Sequence, residues 1–311
     1  MSFYQRLSFL LALFVYLSLY ASADTDLFGP GVTKGTVGSN QIVEASGLAA
    51  SRLHDGVLYV HNDKGDSSRF FAVDVNTGHK LATFTVLNAQ NYDWEDITIG
   101  ACADDCARTS CSATITPARY CIYIADTGDH GGDGAKNIIY MLREPTRIAD
   151  SDISAVDTLT FSWSEQDAET LMIAPDGRLF IISKVHGGQG AIAQLPSSAW
   201  GQGRVSLDMA QTAKLKLSTT NNDPQGGDIS PDGREMLIVA EQNVYYFSVP
   251  SGDYIQAVRD TPPARVSSYH PQPATEAIAW SPNGRGFYVM AEGANQKIYF
   301  YPKLTGSLPV G

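Results

Sequence analysis

An acid or amide followed by a short apolar run returns along this chain at intervals of about fifty residues, and that period limits the available folds. The copies are Glu44-Ala45-Ser46-Gly47-Leu48, Asp93-Trp94-Glu95-Asp96-Ile97, Glu169-Thr170-Leu171, Gln225-Gly226-Gly227-Asp228-Ile229 and Glu276-Ala277-Ile278-Ala279. Glu44, Glu95, Glu169, Gln225 and Glu276 are separated by 51, 74, 56 and 51 residues. A period of this length marks an array of supersecondary units, each unable to bury its apolar face alone. Within a unit, apolar runs of strand length are separated by turn residues. In the first unit these are Ala45 to Ser51, Val57 to Asn62, Phe70 to Val75 and Lys80 to Val86. The turns Pro175-Asp176-Gly177, Pro231-Asp232-Gly233 and Pro282-Asn283-Gly284 recur at one position of later units, where residues tolerating positive φ are needed. Four antiparallel strands per unit make a β-propeller blade.

The fold class is therefore all-β, a five-bladed propeller, with six blades as the alternative and a pair of β-sandwiches behind it. Blades are expected at residues 44–90, 91–164, 165–220, 221–270 and 271–311 of one domain spanning 24–311. The long interval holds an insertion near 101–119 that carries the cysteines. The fifth unit ends one strand short, and residues 32–43 can supply that strand and close the ring, leaving no exposed sheet edge. No segment has a sustained helical period; 197–213 comes nearest.

Arg6, the apolar run from Leu7 to Tyr20 and Ala21-Ser22-Ala23 read as a secretory signal peptide over residues 1–23, the run being short for a membrane anchor. Secretion makes Cys102, Cys106, Cys111 and Cys121 two disulfides, with three possible pairings, rather than a zinc knuckle. With 33 acids against 22 bases, the chain repels phosphate backbones, so no nucleic acid is expected as a partner. A monomer without a membrane span is expected.

In a propeller meander, the start of each first strand and the end of each second strand share one face. That face gathers Glu44, Glu95, Glu169 and Glu276 with Asp63, Asp66, Asp126, Asp129, Lys184, Glu241 and Glu292, and four of the six histidines, His61, His130, His186 and His270. Carboxylates about 6 Å apart repel by about 3 kcal/mol per pair at an effective dielectric of about 20. Raised pKa values or a bound cation relieve that repulsion. Oxygen donors in a secreted protein suit Ca²⁺. The expected metal ligands are Glu44, Glu95, Glu169, Gln225, Asp228 and Glu276. Asp63, Asp66, Trp94, Lys184, Glu241 and Glu292 are candidates for contacting a small-molecule or glycan ligand. No Ser or Cys nucleophile motif, zinc-protease motif or phosphate loop is present. Chemistry at this face would be metal-assisted hydrolysis, with Asp126, Asp129, His130 or His186 as acid or base. The alternative is a non-catalytic binder with structural calcium.

Glu44-Ala45-Ser46-Gly47-Leu48, Asn62-Asp63-x-Gly65-Asp66, Asp93-Trp94-Glu95-Asp96-Ile97, Asp126-x-Gly128-Asp129 and Asp167-Ala168-Glu169 together resemble the signature of a group of secreted propeller proteins, most without an assigned activity. The chain departs from that pattern at His130, where the group has Asn, and in its cysteine insertion. More distantly, the layout is similar to calcium-activated nucleotidases and to phytase-like, lactonase-like and strictosidine-synthase-like propellers. That likeness implies calcium in the channel, but the nucleotidase motifs themselves are missing.

Overall fold

The computed structural model describes residues 23–103, 120–129, 134–185, 189–217, 223–240 and 243–304. Five sheets radiate from one axis, and the first strand of each is innermost. These inner strands are Ala45–Ala50, Trp94–Ala101, Ala168–Ile173, Pro224–Ile229 and Thr275–Trp280 in blades I to V. Each contacts the inner strands on either side, and Thr275–Trp280 meets Ala45–Ala50 to complete the ring. The all-β, five-bladed reading is correct, and six blades and paired sandwiches are excluded.

Inner strands have both faces covered, so they lack the in–out alternation of a half-exposed sheet. Ala45–Ala50 and Ala168–Ile173 are buried at every position. Space narrows toward the axis, which is why small residues crowd there. A Cβ on Gly47 would lie 2.6 Å from the Ile97 amide nitrogen of the next blade. Apolar side chains fill five wedges, one between each pair of neighbouring blades. Trp94, Tyr59, Phe70 and Phe84 pack between blades I and II. Burying a side chain of this size contributes roughly 1.5–3 kcal/mol.

Blade V takes its outermost strand from the chain's other end: Val32–Thr36 pairs antiparallel with Lys297–Pro302. Phe28, just before it, is buried against Phe287 and Trp280, with ring centroids 4.9 and 5.7 Å away.

The segment leading into each outermost strand first crosses the edge of the preceding blade. Ser151–Ser154, from blade II, runs parallel to Lys80–Leu87 of blade I. Val205–Ser206, from blade III, runs parallel to Asp157–Ser162 of blade II. Asp24–Thr25, ahead of the last strand of blade V, pairs with Ala264–Val266 of blade IV. Blade IV sends the helix Tyr254–Asp260 onto blade III. Blade I does the same with a turn, whose Thr77 carbonyl accepts a bond from the Thr36 amide.

That helix departs from the sequence expectation. Asp253 caps it, accepting from the Gln256 amide at 2.9 Å. Its seven residues make two turns, too few for a helical period to show. Residues 197–213 instead hold two single 3₁₀ turns, Ser197–Ala199 and Met209–Gln211. In the blade II insertion, Cys102 and Cys121 form a disulfide. Cys106 and Cys111, like the predicted signal peptide up to residue 22, lie outside the described residues.

Candidate metal centre

The pairing of first and second strands slips by one residue at the same place in all five blades. The extra residues are Ser46, Glu95, Glu169, Gln225 and Glu276. A bulge of this kind re-aims a side chain and bends its strand. Four of the five are the acids and amide that defined the repeat. In blade I the equivalent position is Ser46, whose hydroxyl donates to the Glu95 carbonyl at 2.6 Å.

Glu44 thus belongs to a different tier. It stands two residues before its bulge, as Asp93, Asp167 and Asp223 do in blades II, III and IV, and its side chain is exposed. Asp228 leaves the mouth altogether. Its two carboxylate oxygens accept from the amides of Ile229 and Trp280, both at 2.8 Å, tying blade IV to blade V. Asp96 does the same between blades II and III, accepting from Ile97 and Leu171 at 2.8 Å. As a ligand Asp228 is therefore corrected, since its carboxylate is spent on amides that tie blade IV to blade V, whereas Glu44 shares the tier of Asp93 and Asp167 and differs from them in being exposed.

Among the described residues, two groups of acids meet at the mouth. The ligand oxygens of Asp63, Asp93 and Glu95 lie within 4.8 Å of one another, and so do those of Glu95, Asp167 and Glu169. Glu95 belongs to both. Burial drives its pKa well up, reinforced by the charges of Glu169, Asp63, Asp93 and Asp167. Glu276 is pushed up to about 9 by burial and by the charges of Glu169 and Glu292. Glu292 is raised as well, through burial and then Asp63.

Lysines approach each group. Lys64 Nζ lies 3.3 Å from Asp93 Oδ2, and Lys184 pairs with Glu169 Oε1. Burial penalises the Lys184 ammonium, but Glu169, Glu276 and Asp167 more than compensate and hold it charged. Gln225 donates to Glu276 Oε1 at 2.8 Å. Glu169 Oε2 and Gln225 Oε1 are buried acceptors with no partner among the described residues, in side chains of residues 4 % and 8 % exposed. An acceptor left this way costs about 1–3 kcal/mol, which makes it an informative position.

Asp93 and Asp167 were absent from the candidates read from sequence. A signal was available in the Asp-x-Glu spacing of Asp93-Trp94-Glu95 and Asp167-Ala168-Glu169. Gly128 shapes the floor beneath them, because a Cβ there would sit 1.8 Å from Glu95 Oε1 and 2.7 Å from Asp93 Cγ.

The remaining candidates separate by what they touch. Asp126 is buried and accepts from the Asp93 amide at 2.9 Å, and from the Tyr92 amide and Tyr140 hydroxyl at 3.4 Å. It holds the backbone that carries Asp93; burial pushes its pKa up to about 6. Asp129 accepts from Gly134, and its own amide donates to Asp167 Oδ1 at 2.9 Å. Asp66 is taken by Arg69 and Asn62. Trp94 is fully buried, bonded to the Gln90 carbonyl and set edge-on to His61 at 5.7 Å, so it packs between blades and cannot serve as a ligand platform. Two residues earlier, Tyr92 is 44 % exposed. His61 is also buried between blades and so does not join the face. His130, His186 and Glu241 lie outside the described residues.

An all-oxygen donor set, crowded like charges and an unpartnered buried carboxylate oxygen fit a hard divalent cation with six to eight oxygen ligands. No family model matches the chain, and no curated protein matches it. Among solved structures it is similar to the PQQ-bound aldose sugar dehydrogenase of Streptomyces coelicolor, with 10 % identity over 90 % of this chain and 99 % of that one, and a TM-score of 0.47.

Proposed function

We propose that the channel mouth binds Ca²⁺ and that the protein is an exported calcium-dependent hydrolase of a phosphate, ester or lactone. The observation that carries this reading is the meeting of two carboxylate groups at Glu95, beside the unpartnered Oε2 of Glu169. Asp63, Asp93 and Glu95, with Asp167 and Glu169 behind them, are the residues that would hold the cation. A bound cation would polarise a substrate oxygen and stabilise charge developing on it. Export is supported by the Arg6-to-Ala23 pattern and by the Cys102–Cys121 bond.

The chain's own groups then divide the remaining tasks. Asp126 is buried and orients the Asp93 backbone, accepting from the Asp93 and Tyr92 amides and the Tyr140 hydroxyl. Glu276, its carboxyl pushed up by burial and by the Glu169 charge, is placed to donate a proton at the mouth. Asp129 sits beside Asp167 with a partly exposed side chain, in reach of a ligand entering from the loop face. The burial of Asp126 and its bonds to the Asp93 backbone also favour a second reading, a non-catalytic binder of glycans or proteins in which calcium only positions loops.

Metal analysis of purified protein and thermal melts with calcium or EDTA test the metal. The expected result is a bound divalent ion and a lower melting temperature in EDTA. Identical melts and no bound metal would end the proposal. Phosphoester, nucleotide and lactone substrates with and without chelator then separate the two readings: chelator-sensitive turnover supports the hydrolase, and its absence on all of them leaves the binder.

A further inference from the structure

The two acidic groups differ in the lysine that faces each. Lys64 reaches Asp93 from solvent, with its side chain 49 % exposed. Lys184 is 21 % exposed, while the partners Asp93 and Glu169 are alike at 7 % and 6 %, so the two pairs differ in the burial of the ammonium. The Lys184 backbone is fixed to the segment of Glu169, since its amide donates to the Asp167 carbonyl at 2.9 Å. A half-exposed ammonium such as Lys64 regains water when it leaves its partner, whereas withdrawing the more buried Lys184 leaves a desolvated carboxylate uncompensated.

We infer that the mouth has two cation positions sharing Glu95, and that the Lys184 ammonium permanently fills the one formed by Glu95, Asp167 and Glu169. The exchangeable divalent ion then belongs to the other position, formed by Asp63, Asp93 and Glu95. This inference rests on the calcium reading above and adds its stoichiometry. The deep burial of Glu169, the acid that takes the ammonium, points to a resident cation in the Lys184 position. Glu169 Oε2 is buried and without a partner among the described residues, while Oε1 of the same carboxylate takes the ammonium. Lys184 therefore neutralises only part of a position carrying three carboxylates, and its removal should turn that position into a divalent site.

Equilibrium dialysis of the full mature chain against Ca²⁺ tests this. Wild type should bind one ion per chain and Lys184→Met two. Lys184→Arg, which keeps the charge, should bind one, and the double variant Lys184→Met with Glu169→Gln should fall back to one. Lys64→Met should keep one ion and bind it about two- to fivefold more tightly, the scale of an exposed ion pair. Two ions in wild type, or one in a folded Lys184→Met, would overturn the inference while leaving the calcium reading intact. No ion in wild type would overturn both. If Lys184→Met does not fold, Asp63→Asn and Asp167→Asn decide the matter. Loss of the wild-type ion in Asp63→Asn alone supports the assignment, and any other pattern refutes it.

Discussion

Glu276 shows how strongly the mouth depends on what neutralises it. Its carboxyl rises from its usual 4.5 to about 9 in the folded chain, through burial and then the Glu169 charge. Between those values the unfolded chain has lost the proton and the folded chain keeps it. The folded state then binds more protons, so stability falls as pH rises through that window. Metal-free protein should accordingly melt at a higher temperature near pH 5 than near pH 8.5, and saturating calcium should raise the melting temperature most at the higher pH. Melts at both pH values, with EDTA and with calcium, check both statements. Gly128→Ala gives a sharper test, because its new Cβ would stand where Glu95 Oε1 lies. Displacing a carboxylate shared by both groups should weaken calcium binding by at least about tenfold, the order of a lost charge-assisted contact. Titration calorimetry would read it, and unchanged affinity would mean Glu95 is no ligand. Much of this was legible in the residues themselves. Glu95, Glu169, Gln225 and Glu276 announced themselves by spacing. Blade I did not, since Glu44 mimics the repeat two residues too early and Ser46 carries no charge to mark the true position.

Strands and turns show the same mixture. Val57–Asn62 and Leu179–Ser183 follow directly from β-branched and aromatic runs bounded by turn residues. The bulges were invisible, because a single skipped residue leaves composition and length unchanged and shows only as pairing between strands. The same slip hid the work of Asp96 and Asp228, which bond amides of the next blade. Asp96→Asn should test that role, since its amide nitrogen must face a backbone N–H donor. A loss of about 1–3 kcal/mol in denaturant unfolding is expected, with calcium stoichiometry unchanged. A lower stoichiometry would move Asp96 to the metal. Tyr254–Asp260 escaped notice for another reason: two turns owe their helicity to Asp253 and to packing on blade III rather than to a repeating apolar pattern.

For the molecule as a whole, the decisive event is the return of the N-terminal segment to blade V. Phe28 and Val32–Thr36 cover a sheet that would otherwise present the free edge of Lys297–Pro302. Phe28→Ala should cost about 3–5 kcal/mol, as measured by equilibrium unfolding. Removal of the chain through Thr36 should yield protein that aggregates on refolding, detectable by light scattering. A soluble, fully cooperative truncated chain would contradict that role. The laps from each blade onto the one before have a broader meaning. Arranged like overlapping shingles around a hoop, the sheets have no first member to peel away, for lifting any one means raising the flap laid across it by its neighbour. A nick in one exposed hairpin should therefore leave the hoop shut, and heat should open it as a single unit.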